Sequence, residues 1–110
     1  MKRDKAFHDY VVHDLLGDIP NLKSKAMFSG WGIYKDGVIF GIIADGQLWF
    51  KVGASNLSDF KEFDSRPFKY SRKDGKEIEM SYWLIPEEIM ENRGMLHELV
   101  EKSVQVNIKS

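Results

Sequence analysis

The sequence predicts an α+β domain: a two-layer sandwich whose largely antiparallel sheet, a three-stranded meander plus a second hairpin, carries helices at both ends and between. Three observations predict it. Two Asp-Gly pairs, Asp36-Gly37 and Asp45-Gly46, divide runs rich in Ile, Val, Phe, Trp and Tyr between Lys25 and Val52, a strong hairpin signal because Gly accepts φ > 0. A second extended stretch, Phe68 to Leu84, alternates apolar and polar residues on either side of Lys73-Asp74-Gly75. Outside these stretches, apolar residues recur at spacings of three and four, the period of one helix face.

Taken in order, Phe7, Tyr10, Val11, Leu15 and Ile19 define one amphipathic helix, helped at its first turn by Asp4 or Asp9 and stopped by Gly17 and Pro20. In the last meander strand, Leu48, Phe50 and Val52 share one face and Trp49 and Lys51 the other, because side chains alternate along a strand. Val38 to Ala44 is apolar on both faces, so alternation does not choose between them; loops of two residues, or of three with a Gly bulge, both fit. Gly53 to Asn56 supplies a turn and an N-cap candidate for a short helix marked by Leu57, Phe60 and Phe63, which Asp64 to Pro67 ends. In the second hairpin a three-residue Lys73-Asp74-Gly75 loop sets Tyr70 opposite Ile78 and Phe68 opposite Met80, matching apolar with apolar, whereas a two-residue loop sets Tyr70 opposite Glu79. Pro86, Glu87 and Glu88 open a short helix that presents Ile89 and Met90. After Asn92-Arg93-Gly94, a last amphipathic face runs through Leu96, Leu99, Val100, Ser103 and Val104, and the tail from Asn107 to Ser110 is expected to fray.

Four short motifs, Met27-Phe28-Ser29-Gly30, Leu48-Trp49-Phe50-Lys51-Val52, Pro67-Phe68 with Tyr70, and Met80-Ser81-Tyr82-Trp83 before Pro86, resemble in order and spacing the N-terminal domain of the TfoX/Sxy competence-regulator family. The likeness spans nearly the whole chain. Ser29 stands where that family usually has glycine, and Trp49 and Trp83 where it more often has Tyr. The resemblance implies a cytoplasmic bacterial regulator; its two-domain members act on transcription together with the cyclic AMP receptor protein. It supplies no catalytic residues, and 110 residues leave no length for the second, C-terminal domain of those proteins.

Length and composition agree with one domain, residues 1–110, large enough to bury a core without metal or disulfide staples. A net charge of −1, from 16 basic and 17 acidic residues, provides no overall field for a polyanion, so tight duplex DNA binding by the chain alone is not expected. The absence of cysteine excludes a disulfide framework, a thiolate zinc site and a cysteine nucleophile. No apolar run approaches membrane-spanning length.

No constellation points to catalysis, a cofactor or a metal. His8 and His13 are five residues apart, which on an α-helix turns the second ring away from the first, and His97 is distant in sequence. Glu87 with Glu88 suits a helix dipole, and Glu77 with Glu79 a solvated strand edge. Ser29-Gly30-Trp31-Gly32 lacks the nucleophile-elbow pattern, and its two glycines precede a strand instead of the helix a dinucleotide site needs.

What remains is aromatic. With two-residue Asp-Gly turns, Trp31 lies opposite Ile42 and Ile42 opposite Trp49, with Ile33, Phe40 and Lys51 in the next row. Core packing beneath a second layer and an accessible contact surface are both open for this face. The candidate interface is Trp31, Phe40, Trp49 and Lys51, with a protein partner or a second copy of the chain as occupant. On that reading Trp49→Ala leaves the fold intact and weakens association. The competing reading is a small-molecule binder or enzyme with a pocket between helices and sheet.

Overall fold

The computed structural model describes residues 4–27 and 29–109; residues 1–3, Phe28 of the Met27 to Gly30 motif and Ser110 of the tail lie outside the described residues. Helix α1 (Lys5–Asp9) is capped by Asp4, whose Oδ1 accepts the Phe7 N–H at 3.0 Å. It runs directly into a π-helical segment (Tyr10–Leu15), in which the Leu16 N–H reaches back five residues to the Val11 carbonyl. Val11, Leu15 and Leu16 are buried, so the expected apolar stripe is real although the winding is not uniformly α.

Strands β1 (Leu22–Met27), β2 (Gly30–Lys35), β3 (Val38–Ala44) and β4 (Gln47–Lys51) follow, then helix α2 (Leu57–Glu62), strands β5 (Pro67–Ser71) and β6 (Glu77–Leu84), and helices α3 (Glu87–Met90) and α4 (Arg93–Lys109). The strands form one antiparallel sheet in the order β1-β2-β3-β4-β6-β5. The α+β class and two-layer arrangement agree with the sequence, but the expected three-stranded meander has four strands. The extra one, β1, is an edge strand whose Lys23, Lys25 and Ala26 are exposed, so it lacks the apolar alternation that reveals strands with a buried face.

Both Asp-Gly turns are two-residue turns. Asp36 and Gly37 have φ of 51° and 80°, Asp45 and Gly46 of 55° and 67°, and the flanking pairs are Lys35 with Val38 and Ala44 with Gln47. The Lys73-Asp74-Gly75 loop has three residues with Gly75 at φ 85°, and Tyr70 lies opposite Ile78 as its apolar pairing requires. Phe68, expected opposite Met80, has no one-to-one partner: the register shifts between Pro67 and Lys69.

A second irregularity matters more. Tyr34 pairs with Ile39, but Ile33 pairs with Gly41, so Phe40 is an extra residue in β3. A one-residue bulge reverses the facing of everything beyond it. Trp31 therefore lies opposite Ile43 rather than Ile42, and Ile33 and Phe40 point into the helix layer. There Phe40 meets the Phe50 ring edge-on at 5.4 Å between centroids. Gly41 makes room for this, since a Cβ at that position would lie 3.0 Å from both the Phe50 ring and the Trp49 carbonyl oxygen.

The main core joins Val11, Leu15 and Leu16 to Ile33, Phe40, Ile43, Leu48, Phe50, Val52 and Phe60, and to Leu96, Leu99, Val100 and Val104 of α4. Leu48, Phe50 and Val52 thus face the core as alternation predicts. Asn56, an expected helix cap, makes no capping bond to α2; it is fully buried, accepts the Gly53 N–H and donates to the Lys51 carbonyl. Ser103 of α4 donates to that same carbonyl at 2.8 Å, fixing the end of β4 to the long helix. The expected fraying does not begin at Asn107: α4 stays helical to Lys109, and Asn107 Nδ2 donates to the Ile39 carbonyl at 2.6 Å.

Candidate interaction face and a buried histidine

The sheet face turned away from the helices carries a second apolar cluster. Ile42, Trp49 and Tyr82 are its buried centre, bordered by half-buried Met27, Ile39, Ala44, Phe68, Met80 and Leu84. Cross-strand register builds it row by row: Ile42 opposite Trp49, Trp49 opposite Leu84, Lys51 opposite Tyr82. Among the described residues no apolar side chain of a helix belongs to this cluster, and α4 reaches only its margin, through Asn107 at the Ile39 carbonyl and Tyr82.

Trp49 is only 2% exposed although no helix lies over it. The Phe68 ring packs on it at 4.9 Å and 71°, the Arg66 guanidinium lies 5.3 Å from its ring, and its indole N–H donates to the Ala44 carbonyl at 3.0 Å. Tyr82 is 9% exposed, with the Lys51 ammonium 5.2 Å from its ring centroid. Burial, reinforced by Tyr34, pushes its phenol above the usual tyrosine value, against a hydrogen bond with Asn107.

These positions correct the expected interface. Trp49 and Lys51 share the helix-free face, but the β3 bulge moves Trp31 and Phe40 to the other side of the sheet. Phe40 is fully buried, and Trp31 packs against the main core. Trp49 is a centre that its neighbours cover, not an exposed anchor.

The histidines hold a feature that spacing concealed. His8, 8% exposed, places Nδ1 2.8 Å from Asp9 Oδ1 and Nε2 2.8 Å from Ser24 Oγ. Its imidazole stacks on Trp31 with centroids 4.4 Å apart. Hydrogen bonding from His8, more than the ammonium of Lys5, holds the Asp9 carboxyl below its usual value. His13, expected to turn away, has its ring 6.3 Å from that of His8, edge to face, on the π-wound segment. Asp9 beside His8 was visible in the sequence; Ser24 was not, because it lies on the strand that alternation failed to show.

The order hydroxyl, imidazole, carboxylate is that of a nucleophilic triad. Its surroundings differ: the imidazole is stacked on an indole, and neither of two surface hollows of about 340 Å³ is lined by Ser24 or His8. One hollow lies between Phe7, Leu48 and Pro86, the other beside Trp49, Arg66 and Phe68. The remaining polar candidates serve the fold. His97 Nε2 lies 3.2 Å from Asp18 and 3.3 Å from the Leu15 carbonyl, joining α4 to the end of the N-terminal helix. Glu87 and Glu88 occupy the exposed first turn of α3, Glu77 pairs with Lys69, and Ser29 is exposed in a turn. Among the described residues, no group of three or more His, Cys, Asp or Glu side chains is arranged to hold a metal ion, and no helix is long and apolar enough to cross a membrane.

Comparison with curated proteins finds none that matches the chain. The family model for the TfoX N-terminal domain matches residues 14–107, from the π-helical segment to the last turns of α4 and including all six strands. A match over that much of a 110-residue chain identifies it: the protein belongs to the TfoX N-terminal domain family.

Proposed function

We propose that the chain is a non-enzymatic regulatory module of the competence-regulator kind, acting in the bacterial cytoplasm by holding a protein partner on the helix-free face of its sheet. The observation that carries this reading is the second apolar cluster. An antiparallel sheet with helices on one side normally turns polar residues to water on the other, whereas here Ile42, Trp49 and Tyr82 sit there inside a half-buried apolar border. Apolar surface that the fold does not need to cover its core is the usual mark of a contact site. Family membership supports the regulatory setting, since the two-domain proteins of this type act on transcription. A small-molecule site would call for a buried, partnered carboxylate in a pocket. Glu87, Glu91 and Asp45, the acids bordering the two hollows, are all exposed.

The test is genetic. Ile39→Asp with Met80→Asp puts two charges on the apolar border while leaving the main core intact. Cells carrying this variant, shown by thermal melting to be folded, should reproduce the transcript changes of a deletion strain. An exposed-helix control, Glu98→Lys, should complement the deletion. Full complementation by the face variant, or a deletion that changes no transcripts, contradicts the proposal.

A further inference from the structure

Charge is distributed unevenly over the sheet. Glu77 and Glu79, the only carboxylates on strand positions among the described residues, stand on β6 out of phase with Ile78, Met80, Tyr82 and Leu84, and so off the helix-free face. That face carries cations instead. Lys25 lies opposite Gly32, and a Cβ at Gly32 would meet Met27, Ile39 and Tyr34, which places Lys25 on this side. Lys23, two residues before it and opposite Tyr34, follows. Lys51 extends over Tyr82, and Arg66 over Trp49. Among the described residues none of these four has a carboxylate within 4 Å; Lys61, Lys73 and Lys76 have none either, so what marks the four is their gathering on one apolar face, whereas Lys35 and Lys69 on other strand positions are paired. In a chain with more acidic than basic residues, an apolar face that carries these cations and no carboxylate on a described strand position does not follow from composition. Asp45, in the hairpin turn after β3, borders the hollow that Trp49, Arg66 and Phe68 line at one end of the face.

Resting on the reading that this face is the contact, we propose that it takes an acidic apolar segment of a different protein, whose carboxylates pair with Lys23, Lys25, Lys51 and Arg66 while its apolar side chains lie on Ile39, Met80 and Leu84. A second copy is disfavoured, because face-to-face pairing sets cations against cations. Single-stranded nucleic acid needs a run of open aromatic faces for its bases; at the centre of this face the Trp49 ring is covered by Phe68 and Arg66 and that of Tyr82 by Lys51, which leaves Tyr70, opposite Ile78 on the outer strand β5, as its exposed ring. β1 and β4 are three strand spacings apart, about 14 Å, so acidic residues about four positions apart on an extended segment reach both cation groups.

The test measures anisotropy of a panel of labelled peptides, each about twelve residues long, that interleave Glu with Leu, Phe or Trp, against the same peptides with Gln for Glu and against oligothymidylate. The acidic peptides should bind, weaken as salt rises, and weaken about tenfold or more in Lys25→Glu with Lys51→Glu. Lys61→Glu with Lys102→Glu, on the helices α2 and α4, should leave binding unchanged. Equal binding of the Gln peptides, lost in Ile39→Asp with Met80→Asp, overturns the acidic partner while keeping the face as the contact. No binding by any peptide, or binding indifferent to both double variants, overturns the face itself. Tighter binding of oligothymidylate, or self-association in sedimentation that excludes peptide, replaces the proposed occupant.

Discussion

His8 owes its place to three contacts made at once: Asp9 on one ring nitrogen, Ser24 on the other, and Trp31 against its plane. Together they tie the N-terminal helix to the edge strand β1. His8→Ala strands a half-buried hydroxyl and removes the stack, so it should cost about 1–3 kcal/mol in urea unfolding. A docking role also fixes what Ser24 does not do: a fluorophosphonate probe should leave it unlabelled, and labelling lost in His8→Ala would make the triad reading correct. Tyr82 gives a pH test with a definite sign. Its folded pKa is raised by burial, so its contribution to stability is fully present below the ordinary tyrosine value near 10 and is lost as pH rises through the higher folded value. Wild type should lose stability on that alkaline limb, and Tyr82→Phe should flatten the loss.

At the scale of elements, the bulge in β3 decides which residues meet which layer. Gly41→Ala pushes a methyl group against Phe50 and the Trp49 carbonyl, and is expected to destabilise by about 1–3 kcal/mol, measured by chemical denaturation. Gly37→Ala, with open space around the Cβ but φ of 80°, should cost less, about 1 kcal/mol. The bulge also marks the limit of what the sequence discloses. The two Asp-Gly turns and the Lys73-Asp74-Gly75 loop were legible because turn chemistry is local, and the helix faces because periodicity is. Phe40-Gly41-Ile42-Ile43 is apolar at every side chain, so nothing local records the extra residue, and an unbulged register puts Trp31, Ile33 and Phe40 on the wrong face as a result. The edge strand β1 escaped for the opposite reason, since its exposed lysines leave no alternation to detect. The π-winding after Asp9 likewise leaves no mark on spacing alone, which hid the approach of His13 to His8.

For the whole molecule, the sheet separates two apolar populations: a core under the helices, and a cluster around Trp49 on the side no helix covers. Trp49 belongs to the fold even so. Trp49→Ala should destabilise the protein by about 3–5 kcal/mol, reversing the expectation that the variant stays folded and loses only association. The border is where contact should occur. A photocrosslinking residue placed in cells at Lys25, Ile39 or Met80 on the helix-free face, and at Glu98, Lys102 or Gln105 on the exposed side of α4, tests this most directly. The account predicts adducts to one and the same protein from the three face positions and none from the helix. Adducts arising from α4 alone, or equally from both sides, would contradict it.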